Sequence, residues 1–322
     1  MPEITHRTVK TNGINMHIAE CGEGPLVVLL HGFPELWYSW RHQLPALAEA
    51  GYHAVAPDIR GYGGSDRPHE IEAYSMKNMV GDIVGLLDVL GEEKAVIAGH
   101  DWGAPMAWNA AALHPDRFRA VISMSVPYLP RGPMPPIQMM KAMFQGKFFY
   151  ILYFQEPGVA EAEFEADIRR SMRLFMYAAS GNARKSQTFV RAAAEFANKP
   201  ADSRLFDGAP EAEGMPWLTE EDLETYVAAF EKTGFRGPLN RYRCMDIDWE
   251  QLPQLQDAKV TQPALFVYGT ADGVMTFAPM DPMKNLVPNL KIVALEGAGH
   301  WTQQERPAEV NQAILTFLKD LP

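Results

Sequence analysis

Along the first part of the chain, short runs that are apolar throughout alternate with longer stretches where apolar residues recur every three or four positions. Leu26–Leu30 and Ala95–Ala98 are of the first kind, as strands buried on both faces should be. Tyr52–Ala56 and Phe118–Met124 read as further strands. From Met76, apolar side chains return at Val80, Ile83, Leu87 and Leu90. That is a helical period with one face inward, and Gly91 closes it. Trp40–Ala50, stopped by Gly51, and Ala104–Ala112 also read as helices. Residues 4–20 predict two short strands around Asn12-Gly13, a strong hairpin turn signal. Strands and helices alternating at this spacing predict a mostly parallel sheet covered on both faces.

The pattern changes after Val126. Pro127, Pro130, Pro133, Pro135 and Pro136 crowd together, which suits neither strand nor helix. Beyond them the chain reads as helical to about residue 245, with Phe164, Ile168, Met172 and Phe175 on one face and Leu223, Val227 and Phe230 on another. Met134, Met139, Met140 and Met143 read as core filler in this part. Strand-like runs return at Ala264–Tyr268 and Lys291–Leu295. A last helix runs over Ala308–Leu321, with Val310, Ile314, Phe317 and Leu321 inward. The division is an α/β core of residues 1–130 and 246–322, interrupted by a helical cap of residues 131–245. Such an insert lies above the carboxyl ends of the strands, where open α/β sheets bind ligands, and would act as a lid.

Composition narrows the function classes. A length of 322 residues with 47% hydrophobic positions supports one large domain with an insert. A net charge of −11 argues against nucleic acid and anionic membranes as partners. Cys21 and Cys244 imply no disulfide framework, so a reducing, cytoplasmic location is expected. Leu26–Leu30 is too short and too late for a signal peptide. No run approaches the roughly 18 apolar residues that suggest a membrane span.

The candidate chemistry centres on Gly99-His100-Asp101-Trp102-Gly103, between a strand and a helix. Small residues flanking one side chain on a sharp strand-to-helix turn are the setting of a nucleophile elbow. Serine is usual there; aspartate instead predicts displacement at carbon and an alkyl ester rather than an acyl-enzyme. A capping role at the helix start is the plainer alternative. His300, in Gly297-Ala298-Gly299-His300-Trp301, is the candidate base. Asp272, in Gly269-Thr270-Ala271-Asp272-Gly273, is placed to orient it. The order Asp101, Asp272, His300 follows nucleophile, acid, histidine along α/β-hydrolase chains, each after a predicted strand. Hydrolysis of an ester needs donors for an oxyanion, and the backbone N–H groups of Trp102 and Phe33 are the candidates.

His31-Gly32-Phe33-Pro34-Glu35, Asp58–Asp66 and Gly99–Gly103 resemble the epoxide hydrolases of the α/β-hydrolase fold, near the plant enzymes and the C-terminal domain of the mammalian ones. Tyr153–Gly158, Gly237–Arg243 and Gly299–Gln303 extend the likeness over nearly the whole chain. The resemblance implies an eight-stranded, mostly parallel sheet with helices on both faces and an inserted lid. It implies that Tyr150 and Tyr242 hydrogen-bond the epoxide oxygen, with Tyr153 a second choice for the first of them. Glu35 and His100 resemble a polar pair along the water route, and Trp301, Trp102 and Phe33 supply apolar walls. A small apolar epoxide and water are the implied partners, with no metal or organic cofactor and no phosphatase domain in front. A monomer or homodimer is expected. A haloalkane dehalogenase shares Asp101 and His300 but would leave the tyrosines without a task. A small-ligand binding protein on the same fold would need no intact triad.

Overall fold

The computed structural model describes residues 2–321. Its eight strands are β1 (Thr5–Thr11), β2 (Ile14–Cys21), β3 (Leu26–Leu30), β4 (His53–Pro57), β5 (Ala95–His100), β6 (Phe118–Met124), β7 (Ala264–Gly269) and β8 (Leu290–Leu295). They form one sheet in the order β1-β2-β4-β3-β5-β6-β7-β8. Pairings β1–β2 and β2–β4 are antiparallel, and the pairs from β4–β3 through to β7–β8 are parallel. Thr11 pairs with Ile14, so Asn12 and Gly13 alone make the turn, with φ of 43° and 80°. Positive φ at both positions matches the right-handed twist of the flanking strands, and this pair of residue types adopts it readily.

The alternation of side chains along β3 explains the two-faced core. Leu26, Val28 and Leu30 point into one cluster with Met79, Ile83 and Leu87 of the helix Met76–Leu90. Val27 and Leu29 point into the other, with Leu44, Leu47, Val310, Ile314 and Phe317. The helix Met76–Leu90 ends where expected, at Gly91 with φ 76°. The expected Trp40–Ala50 helix is shorter, Gln43–Glu49, and a 3-10 turn over Trp37–Trp40 precedes it. Starting at Gln43 puts Pro45 in the first turn, where its missing N–H leaves no bond unmade. The last helix covers Pro307–Lys319; Leu318 is buried there, while Leu321 lies past its end and is half-buried.

Between β6 and β7 the chain is helical from Pro136–Met143 through to Met245–Gln251. Lys147 and Pro200 make the isolated bridge within this stretch. The insert is tied together by buried ions: Arg243 donates to both oxygens of Glu161, at 2.8 and 2.9 Å. Of the four methionines in and just before its first helix, Met140 packs against the core as expected, and the other three depart from that expectation. Ile137 is buried there, whereas Met134, Met139 and Met143 are exposed. Among the described residues no helix is long and apolar enough to cross a membrane.

Candidate active site

Asp101 follows β5 directly and precedes the helix Gly103–Leu113. Its φ is +48°, the left-handed region that costs a non-glycine residue on the order of 1 kcal/mol. The surroundings enforce that turn. A Cβ on Gly99 would run into the Gly103 carbonyl, and one on Gly103 into the Leu30 carbonyl. A Cβ on Gly32 would occupy the space of the Asp101 carboxylate. Glycine at these positions therefore lets β3 and β5 present their ends side by side, with the carboxylate between them. The Phe33 N–H donates to Asp101 Oδ1 at 2.7 Å. Trp102 is the next residue, its ring 5.0 Å from that of Tyr242.

The other oxygen, Asp101 Oδ2, lies 3.3 Å from His300 Nε2, and His300 Nδ1 lies 2.9 Å from Asp272 Oδ2. Asp272 follows β7 and His300 lies in the loop after β8, so three strand ends deliver the trio to one edge of the sheet. Burial works against a charged imidazole. The carboxylates of Asp272 and Asp101 outweigh it and raise the His300 pKa well above 6.5. The two acidic groups thus favour the protonated form of the ring.

Behind His300 sits a second pair. Glu35 is fully buried, and its Oε2 lies 2.7 Å from His100 Nδ1. Glu35 also accepts from the Gly32 N–H and from the side-chain amides of Gln303 and Gln304. Burial pushes this carboxyl up, but His100 and the Gly32 N–H more than offset that and hold it at about 2. His100 Nε2 donates to the carbonyl of His300 at 2.8 Å, and Ser125 Oγ donates to the same oxygen at 2.7 Å. The sequence assigns no role to Ser125, Gln303 or Gln304, although Gln303 closes the Gly299–Gln303 motif. They act on backbone or on a buried carboxylate, and no spacing along the chain marks such contacts.

The opposite wall comes from the helical insert. Tyr150 and Tyr242 have ring centroids 6.2 Å apart. Tyr242 also meets Phe33 edge-on at 5.4 Å and Phe154 at 5.0 Å. Burial, then the nearby charge of Asp101, pushes both phenols above their ordinary value, so they stay protonated as donors. Tyr153 is engaged elsewhere: its hydroxyl donates to Glu163 Oε2 at 2.6 Å. Trp301 is fully buried with its ring 4.9 Å from His300, and its indole donates to the Met176 carbonyl. Phe33, Phe154, Phe164 and Phe175 complete an apolar enclosure, with Phe33 centred 5.4–5.8 Å from the other three.

Such a site has a carboxylate with one oxygen fixed by a backbone donor and the other beside an imidazole. Two neutral phenols stand near enough to feel the charge of Asp101. Ring opening of a small strained ether, followed by ester hydrolysis, uses every one of these groups.

Residues 25–307 match the alpha/beta hydrolase fold family. The chain is 49% identical over 321 residues to epoxide hydrolase A of Mycobacterium tuberculosis, covering 98% of each protein. It is 42% identical to epoxide hydrolase 3 of Siraitia grosvenorii, covering 99% of each. Among solved structures, epoxide hydrolase A from Mycobacterium thermoresistibile superposes with a TM-score of 0.94 at 48% identity, covering 99% of both chains.

Proposed function

This chain belongs to the epoxide hydrolases of the alpha/beta hydrolase fold, and we propose that it opens its substrate by covalent catalysis at Asp101. Asp101 Oδ2 attacks a ring carbon opposite the C–O bond. The bonding pair passes to the epoxide oxygen, which takes a hydrogen bond or a proton from Tyr150 and Tyr242. The product is a hydroxyalkyl ester whose carbonyl oxygen, Oδ1, stays on the Phe33 N–H. Forming the ester removes the Asp101 charge and with it part of what keeps His300 protonated. The imidazole proton passes to the phenolate left by ring opening, and neutral His300 Nε2, steadied by Asp272, then takes a proton from water. The hydroxide attacks the ester carbon, and the N–H groups of Phe33 and Trp102 receive the oxyanion. On collapse His300 gives its proton to the leaving alkoxide and a vicinal diol departs; the carboxyl group left on Asp101, holding one water oxygen, passes its own proton to His300 and is a carboxylate again.

One observation carries this reading: the Asp101 oxygens are divided between an amide donor and His300. The haloalkane dehalogenase alternative would leave Tyr150 and Tyr242 without a task, and the relatives argue against it. A binding protein has no need for Asp101, His300 and Asp272 in hydrogen-bonding line. We propose that residues 131–245 act as a lid over a core of 1–130 and 246–322. The aromatic lining supports a small apolar epoxide as substrate, and detoxification is the use we propose for that chemistry. Two buried free cysteines fit a cytoplasmic location. The acidic surface fits a protein that avoids nucleic acid, and a monomer or homodimer is the assembly expected. The test is His300→Gln mixed with an epoxide such as styrene oxide. Mass spectrometry should find a protein adduct one substrate mass heavier, located on Asp101. Absence of any adduct, with ring opening intact in the parent, would overturn the covalent route.

A further inference from the structure

The loop that carries His300 is fastened to the helical insert as well as to the sheet. The His300 N–H donates to the carbonyl of Ala179 at 2.8 Å, and the Trp301 indole donates to that of Met176 at 2.6 Å. Both acceptors lie in the last turn of the helix Ile168–Ala179, whose carbonyls have no partners within the helix. The base loop thus caps that helix. On the other side of the joint stands Glu305, a buried carboxylate that the steps above do not use. Its Oε2 accepts from the N–H of Gly181, at 2.9 Å, and from the N–H of Gly299, at 3.0 Å. Its Oε1 accepts from the N–H of Trp301 at 3.3 Å. Gly299 and Trp301 flank His300, and Gly181 belongs to the insert. The approach is too close for side chains: a Cβ on Gly181 would run into the Gly297 carbonyl, and one on Gly299 into the Gly181 nitrogen.

We propose that Glu305 is a positioning residue for His300, clamping the base loop against the end of the helix Ile168–Ala179. Seating of the insert and readiness of the base are then one event. This rests on His300 serving as the base of ester hydrolysis. The carboxylate touches no reacting atom and acts through the peptide units before and after the histidine. Its loss is felt where His300 must hold and move a proton, in the second half-reaction. Ring opening, which needs Asp101 and the tyrosines, is spared.

The test separates the half-reactions in Glu305→Gln by rapid mixing with styrene oxide and quenched mass spectrometry. Ester formation should stay within about threefold of the parent, while ester hydrolysis falls at least about tenfold and the ester accumulates. An equal fall in both steps, or no change in either, overturns the proposal. If Glu305→Gln does not fold, Glu305→Asp decides: it keeps the charge but shortens its reach to the N–H groups of Gly181, Gly299 and Trp301. The same split is expected of it, and an equal loss in both steps overturns the proposal. His300→Gln runs alongside as control. If it accumulates no ester, the covalent mechanism itself has failed; if it does and Glu305→Gln does not, only the clamp has.

Discussion

On the core side of the site, Asp101, Asp272 and His300 stand at the ends of strands and are fixed by backbone donors and by one another's charge. On the side of the insert, Tyr150 and Tyr242 are held by ring edges: Phe33, Phe154 and Trp102 around Tyr242, Phe154 beside Tyr150. In the reaction proposed above, the two halves do different kinds of work. A proton relay depends on bond lengths and on which group carries charge, so its members are over-determined by hydrogen bonds. A pair of phenols that stabilises an alkoxide can approach it from a range of positions, so packing suffices and leaves room for substrates of different shape.

The contrast breaks first at Asp272. Asp272→Asn keeps the shape but removes a charge that raises the His300 pKa, and kcat should fall about 10³–10⁴-fold. The pH profile supplies the sign. Hydrolysis of the ester requires neutral His300, so it speeds up as pH rises through the pKa of that ring. In the Asn variant this limb should move to lower pH; a limb that stays put would mean Asp272 does not govern the proton.

Smaller effects belong to the opposite wall. Tyr150→Phe or Tyr242→Phe should each slow ring opening about a hundredfold and leave ester hydrolysis nearly untouched, measured by single-turnover kinetics. Since both phenols titrate above the ordinary 10.0, neither should produce a loss of activity below that pH. Smallest in rate, and visible mainly in stability, is Glu35→Gln. The folded pKa of Glu35, about 2, lies below its ordinary 4.5. Its ionised form therefore stabilises the protein above the ordinary value, and that contribution is lost as pH falls towards the folded one. The loss is on the order of 3 kcal/mol. Denaturant midpoints at pH 7 and pH 3 should differ less in Glu35→Gln than in the parent.

The same contrast explains what could be read from the chain. Asp101 and His300 were legible because their turns demand glycines at 99, 103 and 299, and because apolar runs mark the strands that deliver them. The helix Met76–Leu90 was legible from its period and from Gly91. Choosing Tyr150 over Tyr153 was not a matter of pattern: the two lie three residues apart on one short helix, and only the resemblance separated them. The structure shows the physical difference, a Tyr153 hydroxyl engaged by Glu163. Glu305 and Ser125 left no trace at all, since a side chain that accepts from or donates to backbone puts no constraint on its partner's identity. The 3-10 turn at Trp37–Trp40 was hidden for a related reason, as apolar periodicity does not distinguish it from the first turn of an α-helix.

The most direct test follows oxygen. One turnover in heavy-oxygen water, with enzyme in excess over epoxide, should place the label in the carboxylate of Asp101 and leave the diol unlabelled. Label found in the diol with none in that side chain would mean water attacks the ring directly, and the ester never forms.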